Sequence, residues 1–159
     1  MQLQSLVQQL ENIYNGEPWY GDSVLQKVNV ITTKDAYYKV GPEVHCIAEI
    51  VAHMTIWRNA LIQWLKGNDE YNVKFDSEEE WPPFRDVKGI GWESLKANLA
   101  QSQDDITTLL QNQPDTLLAK RLGPKQYTLK FLLEGIIEHD VYHLGQIGLL
   151  VRLAKISIV

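Results

Sequence analysis

The most apolar part of the chain, Phe131 to Val159, cannot lie in a bilayer, because Glu134, Glu138, His139, Asp140, His143 and Arg152 interrupt it at a density that a membrane helix does not tolerate. It belongs inside a packed protein, where ionisable side chains need partners. Its centre reads Gly135-Ile136-Ile137-Glu138-His139-Asp140-Val141-Tyr142-His143-Leu144-Gly145-Gln146, with two histidines four residues apart. On a helix both imidazoles then share one face, about 40° apart and about 6 Å along the axis. That spacing lets them bite one metal ion, and a metal would explain two imidazoles among apolar neighbours.

The other segments also read as helices with one buried stripe. Leu3, Leu6, Val7, Leu10, Ile13 and Tyr14 recur at spacings of three and four over residues 2–14, closed by Asn15-Gly16. Residues 17–42 are rich in turn formers and leave room for one short helical piece around Asp22 to Lys27. Gly41-Pro42-Glu43 predicts the start of a second long helix that stops at Gly67-Asn68. On its wheel Glu49, Trp57, Ala60 and Trp64 lie within about 40° of His53. Residues 67–91 hold acids, aromatics and Trp81-Pro82-Pro83-Phe84, and read as a long crossover anchored by Trp81 and Phe84. A third long helix runs from Gly91-Trp92 to Gln113-Pro114, with Trp92, Leu95, Leu99, Ile106 and Leu110 inward. A fourth starts near Thr128, a suitable N-cap, after a link with space for a short hairpin between Thr116 and Tyr127. The fold expected is all-α, a four-helix bundle forming a single domain over residues 1–159.

Composition narrows the functional classes. The net charge of −5, with no cluster of Lys and Arg, argues against a nucleic-acid surface. The single cysteine, Cys46, excludes an internal disulfide framework and suits a reducing, cytoplasmic setting. Met1-Gln2-Leu3-Gln4-Ser5-Leu6 lacks a basic region followed by an apolar run, so no secretory signal is read.

In a bundle, metal sites are built from side chains on facing helices. If the second and fourth helices face each other, His53 completes a three-imidazole set with His139 and His143. Such a set leaves a position open for water or substrate and suits Zn²⁺, Ni²⁺, Fe²⁺ or Cu²⁺. Glu49, one turn before His53, is the candidate to orient it. Gln146 and Tyr142 are candidates to touch a substrate. His45 falls about 80° around and about 12 Å along the helix from His53, outside the set. Cys46 could be activated by a helix N-terminus but has no base at obvious spacing and is assigned to the core. Two familiar sites are excluded by spacing: Asp140 stands where a zincin carries glutamate, and the paired Glu-x-x-His of a di-iron bundle is absent. Gly145 and Gly148 predict the close approach of another helix, and the surplus of apolar residues on the last helix predicts a dimer interface.

His139-Asp140-Val141-Tyr142-His143-Leu144-Gly145-Gln146-Ile147 resembles the C-terminal HxxxHxGQ signature of the DinB-like proteins, and His45 to Arg58, with His53 inside it, resembles their second-helix segment. The resemblance implies a bundle in up-down-down-up order with a long crossover between its second and third helices, and frequently a homodimer. It implies a divalent metal, zinc or nickel, on His53, His139 and His143. Relatives of this kind include thiol-dependent S-transferases using bacillithiol, mycothiol or glutathione, and a maleylpyruvate isomerase in a wider branch.

The leading expectation is therefore a metal-dependent transferase or hydrolase, acting on a small molecule through a thiol or water activated by the metal. The rival classes are a protein whose metal site is structural or vestigial, and a metal-free dimeric interaction module. For a selectivity pocket the sequence offers only Trp19, Trp57, Trp64 and Tyr142.

Overall fold

The computed structural model describes residues 1–156 and is mostly helical. Four long helices carry the core: α1 (Gln2–Asn15), α4 (Ile47–Leu65), α6 (Trp92–Leu110) and α7 (Leu129–Ile156). Three short ones sit in the links: α2 (Val24–Asn29), α3 (Thr33–Ala36) and α5 (Phe84–Ile90). A 3-10 turn over Asp115–Ala119 leads into an antiparallel hairpin of β1 (Arg121–Leu122) and β2 (Tyr127–Thr128). Among the described residues no helix is long and apolar enough to cross a membrane.

The long helices form because their apolar residues fall at helical spacing. Leu3, Leu6, Val7, Leu10, Ile13 and Tyr14 of α1 are all buried, each such side chain contributing about 1.5–3 kcal/mol. Trp92, Leu95, Leu99, Ile106 and Leu110 do the same for α6. Helices α4 and α1 each pack against both α6 and α7. Two apolar clusters fill the space between them. One joins the end of α1 with the starts of α4 and α6 and the later part of α7: Tyr14, Ile47, Leu95 and Ile147. The other joins the start of α1 with the ends of α4 and α6 and the start of α7: Leu3, Leu61, Leu110 and Leu133.

Three boundaries differ from the sequence reading. The second long helix starts at Ile47 rather than at Pro42. The backbone N–H of Cys46 donates to the Glu49 carboxylate at 2.7 Å, fixing the first turn there, while Gly41 to Val44 close a separate turn. Residues 17–42 hold two short helices instead of one, because Ser23 and Thr32 each cap one through their hydroxyls. Crossover residues after Pro83 form α5. The expected start of the last helix holds: Phe131 N–H donates to Thr128 Oγ1 at 3.3 Å. So does the hairpin, where Gly123 has φ +69 and a Cβ would sit 2.9 Å from the Trp64 indole. Only glycine meets both conditions there.

Between the two apolar clusters the core is polar. Arg58 on α4 and Asp140 on α7, both fully buried, form an ion pair at 2.5 Å, and the second guanidinium arm of Arg58 donates to Gln103 on α6 at 2.8 Å. Three helices meet at one side chain. Asp140→Ala, which strands the buried guanidinium, should lower stability by about 3–5 kcal/mol in urea titrations. Replacing both charges, as Arg58→Met with Asp140→Leu, should recover most of that loss.

Candidate metal centre

His53 lies in the second turn of α4, and His139 and His143 lie on successive turns of α7. Because α4 and α7 pack together, the three imidazoles converge. His53 Nε2 is 2.9 Å from His139 Nε2, which is 3.0 Å from His143 Nε2. These three residues alone form a histidine, cysteine or carboxylate group able to hold a metal ion among the described residues, with their donor atoms within 4.8 Å of one another. Tetrahedral zinc, about 2.0–2.1 Å from each nitrogen, sets ligand nitrogens about 3.3 Å apart. The two contacts made by His139 Nε2 are a few tenths of an ångström tighter.

The outward nitrogens fix the proton positions. His53 Nδ1 faces the Glu80 carbonyl at 3.1 Å and His143 Nδ1 faces Gln146 Oε1 at 2.6 Å. Each oxygen can only accept, so each Nδ1 carries the hydrogen and each Nε2 is left with a bare lone pair. Both lone pairs point at His139 Nε2, whose single hydrogen can satisfy only one of them. The remaining N···N contact has no hydrogen to bridge it, and a cation at that point would accept the lone pairs instead, so the donor set fits a metal ion. His139 Nδ1 is buried without a hydrogen-bond partner.

Burial keeps all three rings neutral. It pushes His53 down to about 4 and His139 down to about 3, and lowers His143 as well. Deprotonated imidazoles are the form that ligates. The face of His53 is covered by Trp81, whose ring stacks on it at 3.8 Å and on His45 at 3.9 Å from the other side. His45 thus reaches the site only through the indole, and stays outside the ligand set as its spacing predicted.

The structure distributes the remaining candidates differently. Glu49 does not touch His53; its carboxylate holds the Cys46 N–H and pairs with Lys39. The place expected for it is taken by the Glu80 backbone carbonyl. Glu80 is a residue that no spacing rule pointed to, since it comes from the crossover. Its carboxylate, buried, accepts from Trp57 Nε1 at 3.1 Å and from the Asp76 N–H at 2.7 Å. Gln146, expected at a substrate, orients His143 instead. Tyr142 is exposed, with its ring edge-on to His143 at 5.0 Å. The Cys46 thiol is not activated: burial pushes it up to about 11. Among the described residues Gly145 and Gly148 meet no other helix, for a Cβ at either would find nothing within 4 Å.

Two measurements follow from these protonation states. Gln146→Leu removes the acceptor that orients His143 and should weaken metal affinity about 10–100-fold, read by competition with a chelating dye. In the unfolded chain His53 and His139 titrate near 6.5, but in the folded one only near about 4 and about 3. Between these limits the unfolded state binds more protons, so the metal-free protein should lose stability steadily as the pH falls from about 6.5 towards 4. A thermal midpoint that rises on acidification would contradict the neutral triad.

The model of the DinB superfamily matches residues 22–147, a span that includes His53, His139 and His143. No curated protein matches the chain. With that match covering most of its length, the chain belongs to the DinB superfamily.

Proposed function

We propose that the protein is a divalent-metal enzyme, with zinc or nickel held by His53, His139 and His143, that acts as a thiol-dependent S-transferase or a hydrolase on a small electrophilic molecule. The observation that carries this reading is the convergence of three neutral Nε2 atoms whose Nδ1 partners, at His53 and His143, turn their lone pairs inward. A divalent ion in such a site lowers the pKa of a thiol or water and so supplies a nucleophile at neutral pH. The chain's own groups do the rest. Glu80 and Gln146 hold two rings in place, Trp81 keeps water off the His53 face, and the Tyr142 hydroxyl, free of hydrogen bonds among the described residues, is available to a substrate. Glu49 acts at one remove, fixing the start of α4. A cytoplasmic setting, where low-molecular-weight thiols such as bacillithiol, mycothiol or glutathione are abundant, fits this chemistry.

The helix ends shared by the two core clusters support an up-down-down-up four-helix bundle. A homodimer along α7 is supported by Val141, Leu149 and Ile156, all exposed, beside Gly145 and Gly148 with open space above them. Leu149→Arg should then shift sedimentation from dimer to monomer.

Untagged protein should carry, or take up from added zinc or nickel, one divalent ion per chain, and consume at least one low-molecular-weight thiol in the presence of electrophiles. His139→Ala should lose both metal and turnover. Wild-type protein that stays without metal when either ion is supplied would overturn the reading.

A further inference from the structure

A cavity of about 580 Å³ opens beside His139, a volume suited to a small organic molecule. Its walls are apolar: Trp57, Leu61 and Trp64 from α4, Ile136 and Phe131 from α7, and Tyr127 from the hairpin. His139 is the one member of the histidine triad in the lining. The charged lining residues are Lys74, from the crossover, and Lys125, from the hairpin turn, and no carboxylate joins them among the described residues. Both lysines are exposed, whereas Trp64 and Ile136 are buried, so the positive charge lies at the mouth and the apolar walls lie deeper. Neither ammonium is in an ion pair among the described residues, and in that they resemble seven of the other thirteen lysines and arginines. In a chain with 20 acidic residues against 15 basic ones, two lysines from separate loops line one apolar opening, while the nearby carboxylates of Glu79 and Asp69 are engaged by the backbone N–H groups of Lys74 and Gly123.

We propose that this cavity binds an amphipathic anion: an aromatic or acyl body against Trp57, Trp64 and Ile136, with one carboxylate or sulfonate held at the mouth by Lys74 and Lys125. The apolar body contributes through burial. The lysines select against neutral and cationic analogues by charge complementarity at an opening where the anion stays partly hydrated. Gly135 sits one turn from both Phe131 and His139 on the lining face, and a Cβ there meets no atom within 4 Å. The missing side chain is therefore part of the space. That this anion is also the substrate of the metal centre rests on the function proposed above; its occupancy of the cavity does not.

The test uses a matched pair of fluorescent probes, 1-anilinonaphthalene-8-sulfonate and the neutral N-phenyl-1-naphthylamine, titrated into metal-free and zinc-treated protein whose metal content is measured in parallel. The sulfonate should bind saturably at one site per chain and at least about tenfold more tightly than the neutral probe, a difference of about 1.4 kcal/mol. Lys74→Ala with Lys125→Ala should erase that preference and leave the neutral probe within about twofold. Gly135→Leu, which fills the cavity and suits a helix better than glycine, should abolish binding of both probes while the thermal midpoint holds or rises. Equal affinity for the two probes, or undiminished binding to Gly135→Leu, overturns the proposal. Sulfonate binding with this profile in protein that takes up no metal sustains the cavity while the metal reading fails; metal uptake without such binding does the reverse.

Discussion

The buried Arg58–Asp140 pair is the constraint on which the rest of the molecule depends. Arg58 stands five residues after His53, and Asp140 directly follows His139, so the pair joins the two helices that carry the imidazoles. Rotating either helix by one residue would turn its face by about 100°, and would separate the ion pair and the triad together. A fully buried pair of this kind adds little net stability, because desolvation offsets most of its Coulomb energy. Its effect is on alternatives: any packing of α4 on α7 that leaves Arg58 without Asp140 and Gln103 strands a charge in the core. The remaining orphans, Arg58 Nε and Asp140 Oδ1, show that the pair is placed for its partners rather than for full satisfaction. The polar layer thereby sets the register in which three histidines from two helices meet.

Much of this was legible in the sequence because it follows from periodicity. The stripes of α1 and α6, and the pairing of His139 with His143, need only 3.6 residues per turn. The contribution of His53 was legible as an inward histidine on another helix, given that bundle cores hold metal sites. What could not be read was whatever depends on a loop meeting a helix. Glu80 is one of three consecutive glutamates in the crossover that nothing in the sequence tells apart, yet it alone of the three is buried, and it supplies the carbonyl for His53. Asp140 looked like the residue in a zincin's general-base position; it faces Arg58 instead. The start of α4 was misplaced for a local reason. Gly41-Pro42-Glu43 and Cys46 with Glu49 both carry start signals, and the second prevails because Ile47, Ala48 and Ile50 bury there while Pro42 to His45 stay exposed.

The electrostatics of the site and of the cavity are opposite, and each depends on the other's neighbourhood. Burial keeps the triad uncharged although polar groups flank it, so a cation is the addition its inward nitrogens are suited to take. At the cavity mouth the protein places positive charge where water still screens it, and leaves the deeper walls without any. A cation at the triad and an anion at the mouth would lie at opposite ends of one apolar space. Such separation favours a ligand whose charged group is remote from the part that reaches His139.

Both ends are held by the same segment, the crossover between α4 and α5. It carries Val73, Lys74 and Phe75 to the cavity wall, and Glu80 and Trp81 to His53. Glu80 links the two functions directly, since its carboxylate holds Trp57, a cavity residue, while its carbonyl holds His53. The Asp76 N–H that closes on the same carboxylate belongs to a residue with φ 55, a left-handed conformation that costs energy for any residue but glycine. The crossover is therefore a shaped wall, bent at Asp76 and fastened at Glu80, and not a passive connection. A change at Glu80 would therefore disturb the seats of Trp57 and His53 together.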